Sequence, residues 1–134
     1  MATKEKSKKE EKVEVAAEVV DGEVFCKANY LKISPQKLMR IANVVRFQSV
    51  TVALQTLKLM PHDGADYLYK AIFSAMSNAV NNNNLDASKL YISTLLVNKG
   101  VFSKRFRARA RGRSATIERK SSKLIVGVKQ KAGS

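Results

Sequence analysis

LYISTLLV at residues 90–97, NKGVFSKRFRARARGRS at 98–114 and SKLIVGVKQ at 122–130 decide the fold of this 134-residue chain. The outer two segments are apolar and rich in β-branched residues, the composition of strands that line a core. Ala115-Thr116-Ile117 falls on the early part of the second. Between them lies a connection too long for a hairpin turn, and it has a pattern of its own. Arginine occupies positions 105, 107, 109, 111 and 113, a strict period of two. In an extended chain that puts all five guanidinium groups on one side, roughly 6.7 Å apart at strand rise, comparable to successive phosphates along an RNA strand. In an α-helix the same positions would splay around the circumference, so the period predicts an extended arm over residues 98–114. The opposite side carries Phe106, Ala108, Ala110 and Gly112. Small residues let a backbone enter a narrow space, and one aromatic ring can stack on a base. Arginine, more than lysine, suits forked contacts to phosphate.

Upstream, VFCKANYLKI at residues 24–33 alternates in part and predicts a strand. Ser34-Pro35 reads as a helix cap followed by proline at the first helical position. Leu38, Ile41, Ala42 and Val45 then form one apolar stripe, with Lys37, Arg40 and Arg46 largely off it. Ser49 opens a second helix, with Val50, Ala53, Leu54 and Leu57 at helical spacing. A third, longer helix begins at Pro61, with Ala65, Leu68, Ile72, Ala75, Met76 and Ala79 on one face. It ends in the run Asn81 to Asn84, residues that tolerate left-handed backbone. The expected fold is α+β: three helices packed on a small three-stranded antiparallel sheet, with a long protruding basic β-hairpin. Residues 1–23 mix both charge signs without a sustained apolar period and read as a disordered charged tail. Residues 24–130 form a single domain, and 131–134 a C-terminal tail.

Composition narrows the function classes. The chain has 25 Lys and Arg against 11 acids, a net charge of +14, and a pI near 10.1. Residues 98–134 hold twelve of the cations and one acid, Glu118. A charge so concentrated asks for a polyanionic partner. One cysteine, Cys26, excludes an internal disulfide and points to a reducing compartment or at least to no oxidative folding. With His62 the only histidine, neither a thiolate-rich nor a multi-histidine metal site can be built, so no metal and no cofactor is expected. No stretch approaches the ~20 apolar residues that cross a bilayer, and the N-terminus lacks a secretory or transit pattern.

Four motifs occur in one order and spacing: Ile33-Ser34-Pro35-Gln36-Lys37, the Val50/Ala53/Leu54 helix, Ser74-Ala75-Met76-Ser77-Asn78-Ala79 before the asparagine run, and Lys104 through Arg113. Together they closely resemble the bacterial-type ribosomal protein L22 family (uL22), over about residues 26–129. The resemblance implies an α+β core on the outside of the large ribosomal subunit. It also implies a β-hairpin that reaches through ribosomal RNA to the nascent-peptide exit tunnel, near the macrolide site. Residues 99–114 would hold the hairpin's distal part, with Ser103, Lys104 and Arg105 as the tunnel-lining tip. Lys104, Arg105, Arg107, Arg109, Arg111, Arg113, Arg119, Lys120 and Lys123 would contact RNA, joined by Lys32, Lys37 and Arg40 around the first helix. The implied partners are large-subunit (23S-type) rRNA, neighbouring large-subunit proteins and the nascent peptide, with no membrane. The implied location is the ribosome, in bacterial cytoplasm or in a plastid or mitochondrial matrix. The sequence departs from the family pattern at Phe47, where glycine is usual, at Ala108 in place of a common proline, and at Ser121-Ser122-Lys123.

Other motifs read as structure. Ser34-Pro35-Gln36-Lys37 fits the S-x-x-K pattern of penicillin-recognising enzymes, but their K-T-G element is missing. His62, Asp63 and Asp66 sit at the start of the third helix, where acids complement the helix dipole. Cys26 is expected in the core, and Tyr67, Tyr69 and Phe73 as packing residues. No enzyme is expected. Two non-enzymatic rivals are a freestanding nucleic-acid binder and a cationic membrane-surface protein. The latter needs bulky apolar residues opposite its charges, and Ala108, Ala110 and Gly112 are too small.

Overall fold

A computed structural model describes residues 19–20 and 22–131; the rest of the expected N-terminal tail, and residues 132–134, lie outside the described residues. The chain begins with strands β1 (Val19–Val20) and β2 (Glu23–Leu31). Three helices follow, α1 (Pro35–Val45), α2 (Val50–Leu59) and α3 (Asp63–Asn83), then strands β3 (Leu90–Lys99), β4 (Ser103–Ala108), β5 (Ser114–Arg119) and β6 (Ser122–Gln130). The main sheet is antiparallel, in the order β1-β2-β6-β3. It has four strands where three were expected. The extra one falls in the expected tail, pairing Val19 with Val24 and Val20 with Glu23. Gly22, next to β2, takes φ 73, a conformation that glycine adopts without strain.

Each strand of the sheet turns alternate residues to the helices. Val128 pairs with Val24 on one side and Ile92 on the other, Val126 with Cys26 and Leu95, and Leu124 with Ala28 and Val97. All nine are buried and form three rungs of the core. The helices close it with the expected stripes: Leu38, Ile41, Ala42 and Val45 on α1, Val50, Ala53 and Leu57 on α2, and Ala65, Leu68, Ile72, Ala75 and Ala79 on α3. Leu54 and Met76 pack at its margin.

Helix ends differ in detail from the expectation. Ser34, Ser49 and His62 are the N-caps, but none makes a side-chain capping hydrogen bond. The third helix starts at Asp63, not Pro61, because the His62 amide turns back to the Met60 carbonyl at 2.9 Å and its backbone is extended. Three of the four asparagines are helical; Asn84 ends the helix at φ 52 and donates to Val80 O. Arg46 donates from Nη2 to Leu95 O at 3.1 Å, fixing the end of α1 to β3. Phe47 follows at φ 62, the conformation a glycine would take, with its ring 71% exposed.

Candidate nucleic-acid interface

The basic segment folds as a two-stranded antiparallel ribbon, with six pairs from Ser103–Arg119 to Ala108–Ser114. It continues the β3–β6 pair, whose ladder runs to Lys99–Ser122 and is prolonged by Gly100 N–H donating to Ser121 O at 2.9 Å. A Cβ on Gly100 would lie 2.5 Å from Ser121 Oγ and 3.1 Å from the Ser121 backbone, so any larger residue at this junction must displace the serine hydroxyl. The serine hydroxyls in the segment Ser121-Ser122-Lys123 point inward: Ser121 donates to Val101 O, and Ser122 donates to Ile33 O at 3.0 Å. Ala115, Thr116 and Ile117 therefore belong to a strand of their own, β5, and not to the early part of β6. The break lies at Lys120-Ser121, where Ser121's polar groups are taken up by Gly100 and Val101.

This geometry corrects the expected row of five arginines. Residues directly opposite in a ladder share a face, so Ser103, Arg105 and Arg107 lie with Arg119, Ile117 and Ala115. Lys104 and Phe106 lie on the other face, with Lys104 opposite Glu118. The chain then reverses. Ala110–Gly112 is a 3₁₀ turn in which Arg111 takes φ 57 and Gly112 φ 68, closed by Arg109 N–H donating to Arg113 O at 2.8 Å. Only Arg105 and Arg107 keep the period-two relation on a strand. Arg109, Arg111 and Arg113 instead fall on the reversal itself. The reversal is also at Arg109–Arg113 and not at Ser103–Arg105, which stand on β4 at the end nearer the body. Every residue from 101 to 114 is exposed; Ala115 and Ile117 are half-buried, opposite Arg107 and Arg105 whose aliphatic stems can cover them.

The other cations expected to contact RNA fall into three places. Lys32, Arg119 and Lys120 line one open cleft at the base of the ribbon, with Tyr30 and Ser103. Lys37 and Arg40 line a second, beside His62 and Asp63. Lys123 is exposed on β6, opposite Asn98. Tyr30 is the cleft-lining residue that sequence reasoning missed, since its placement comes from a register shift in β2 that no local pattern announces. Cys26 is buried, and burial pushes its thiol above the ordinary value, offset in part by a hydrogen bond with Ser74. Among the described residues no group of three or more His, Cys, Asp or Glu could hold a metal ion, and no helix is long and apolar enough to cross a membrane.

A basic ribbon on an α+β body is the arrangement that a family comparison can test. The family model for ribosomal protein L22p/L17e matches residues 26–129. The chain belongs to that family. It is 42% identical over 106 residues to the large ribosomal subunit protein uL22 of Mycoplasma capricolum, covering 79% of this chain and 96% of the relative. To the uL22 of Clostridioides difficile it is 41% identical, covering 78% and 94%, and to that of Desulfosudis oleivorans 40%, covering 82% and 96%. The family is one of ribosomal structural proteins and is not enzymatic. His62, Asp63 and Asp66 are thus the opening of α3, and Ser34 its counterpart on α1.

Proposed function

We propose that this chain is a structural constituent of the large ribosomal subunit that binds and organises 23S-type rRNA during assembly. The observation that carries this is the division of labour within one L22 family chain: a closed apolar core, and an exposed ribbon whose turn gathers three arginines in five residues. Arg105, Arg107, Arg109, Arg111 and Arg113 neutralise phosphates, helped by Lys104, Arg119, Lys120 and Lys123. Lys32, Lys37 and Arg40 contact RNA where the body meets it. The body rests on the subunit surface, beside neighbouring large-subunit proteins. The ribbon reaches through RNA to the nascent-peptide exit tunnel near the macrolide site. The turn at Arg109–Arg113 leads into the tunnel, and Ser103, Lys104 and Arg105 lie behind it on the RNA-contacting stem. Neutralising ~6–8 phosphates makes log affinity fall with log salt at a slope of roughly −4 to −7. The site of action is the ribosome, in bacterial cytoplasm or in an organelle matrix.

Sedimenting a native extract through a high-salt gradient tests the reading. Stoichiometric cosedimentation with the large subunit is expected. Release to the top of the gradient would leave a freestanding, purely electrostatic nucleic-acid binder in its place.

A further inference from the structure

The pairing of β2 with β6 runs from Val24 to Ala28 and resumes at Leu31, so Asn29 and Tyr30 fall in a bulge. Tyr30 takes φ 60, a conformation in which a bulky residue is a true outlier. Its ring is 56% exposed, although Ala28 and Leu31 on either side are buried. Bulges re-aim side chains, and backbone outliers of this kind collect where ligands bind. Here the re-aimed ring lines an open cleft of about 450 Å³ together with Lys32, Ser103, Glu118, Arg119 and Lys120. That volume lies within the usual range for a site that holds one small organic group.

The lining has a specific chemistry. Cationic side chains bind phosphate, an exposed aromatic face stacks on a base, and a carboxylate and a hydroxyl can hydrogen-bond a base edge. We propose that this cleft takes a single unstacked nucleotide of the bound RNA, its base on the Tyr30 ring and its flanking phosphates on Arg119 and Lys120. The proposal rests on the RNA-binding reading above and adds to it. The arginines of the ribbon meet phosphates and so position the RNA without reading it, whereas a stacked, splayed-out base reports on RNA shape.

The chain has no tryptophan, so Tyr30→Trp puts in the cleft a single indole that can be excited selectively, to the red of the remaining tyrosines. Titrating the full-length variant with purified large-subunit rRNA should quench its emission in step with binding. In parallel, Tyr30→Ala should weaken binding about 5- to 100-fold without changing the salt slope, and Tyr30→Phe should restore it. Lys120→Ala should instead lower the slope by about one. Unchanged affinity in Tyr30→Ala, with unchanged tryptophan emission at saturating RNA, would overturn the proposal and leave the RNA-binding reading intact. Wild-type protein that shows no salt-dependent binding to this RNA would remove both. Should Tyr30→Ala fail to melt as a folded protein, the tryptophan signal alone decides.

Discussion

Strands β5 and β6 are separated by two residues and live under different physics. In β6, Leu124, Val126 and Val128 are fully buried, each between buried partners on β2 and β3. In β5 no residue is buried, and among the described residues its only partner strand is β4. A central strand is held by the apolar area it removes from water. An isolated two-stranded ribbon is at best marginally stable in water, and this one also concentrates like charge. The contrast teaches that buried apolar area holds the body, whereas the ribbon has its cross-strand pairing and little buried area to hold it.

The comparison breaks first if the body is not self-sufficient. Leu124→Ala should cost about 2–5 kcal/mol in urea unfolding, since it empties the middle of a rung. A loss below about 1 kcal/mol would show that the core does not carry the fold. The reciprocal test is the triple change of Arg105, Arg107 and Arg109 to Ala. Because those side chains bury no core, the unfolding midpoint should stay put within about 0.5 kcal/mol. RNA affinity should meanwhile fall and its salt slope shrink by about 2–3. Loss of native helix signal in that variant would mean that ribbon and body are coupled.

Smaller changes sharpen the junction between the two regions. Ser122→Ala leaves the Ile33 carbonyl without its hydroxyl partner, at a cost of about 1–2 kcal/mol by thermal melting. Phe47→Gly should stabilise the chain by about 0.5–1 kcal/mol. The exposed ring contributes little packing, and glycine adopts φ 62 without strain. The mildest effect is chemical. Cys26 should resist a thiol-directed alkylating reagent at pH 8 until denaturant is added, because it is buried and its thiol is held above its usual value. Prompt native-state labelling would show that the β2 face opens.

Where hydrophobic periodicity was the signal, the sequence was readable. The stripes Leu38-Ile41-Ala42-Val45 and Ala65-Leu68-Ile72-Ala75-Ala79 face the core as their spacing requires, because a helix that buries one face repeats its apolar residues at its own period. The arginine period was also genuine, but it was legible only as far as the chain stays extended. Nothing in an alternation of Arg and Ala marks the residue at which the backbone turns. Gly112 was read as one more small residue opposite the arginines, and Arg111 shares its left-handed conformation without any compositional sign. The site was legible as a set of cations and not as a geometry.

By itself, then, the sequence determined the α+β class, the helix stripes, the buried cysteine and the placing of the positive charge in the last quarter of the chain. These follow from local period and composition. Tertiary structure alone decided the fourth strand at Val19–Val20, the break between β5 and β6, the reversal at Arg109–Arg113 and the exposure of Tyr30. Each of these depends on which residue of one strand stands opposite which residue of another. Register is a relation between distant segments, and no window of sequence contains both partners.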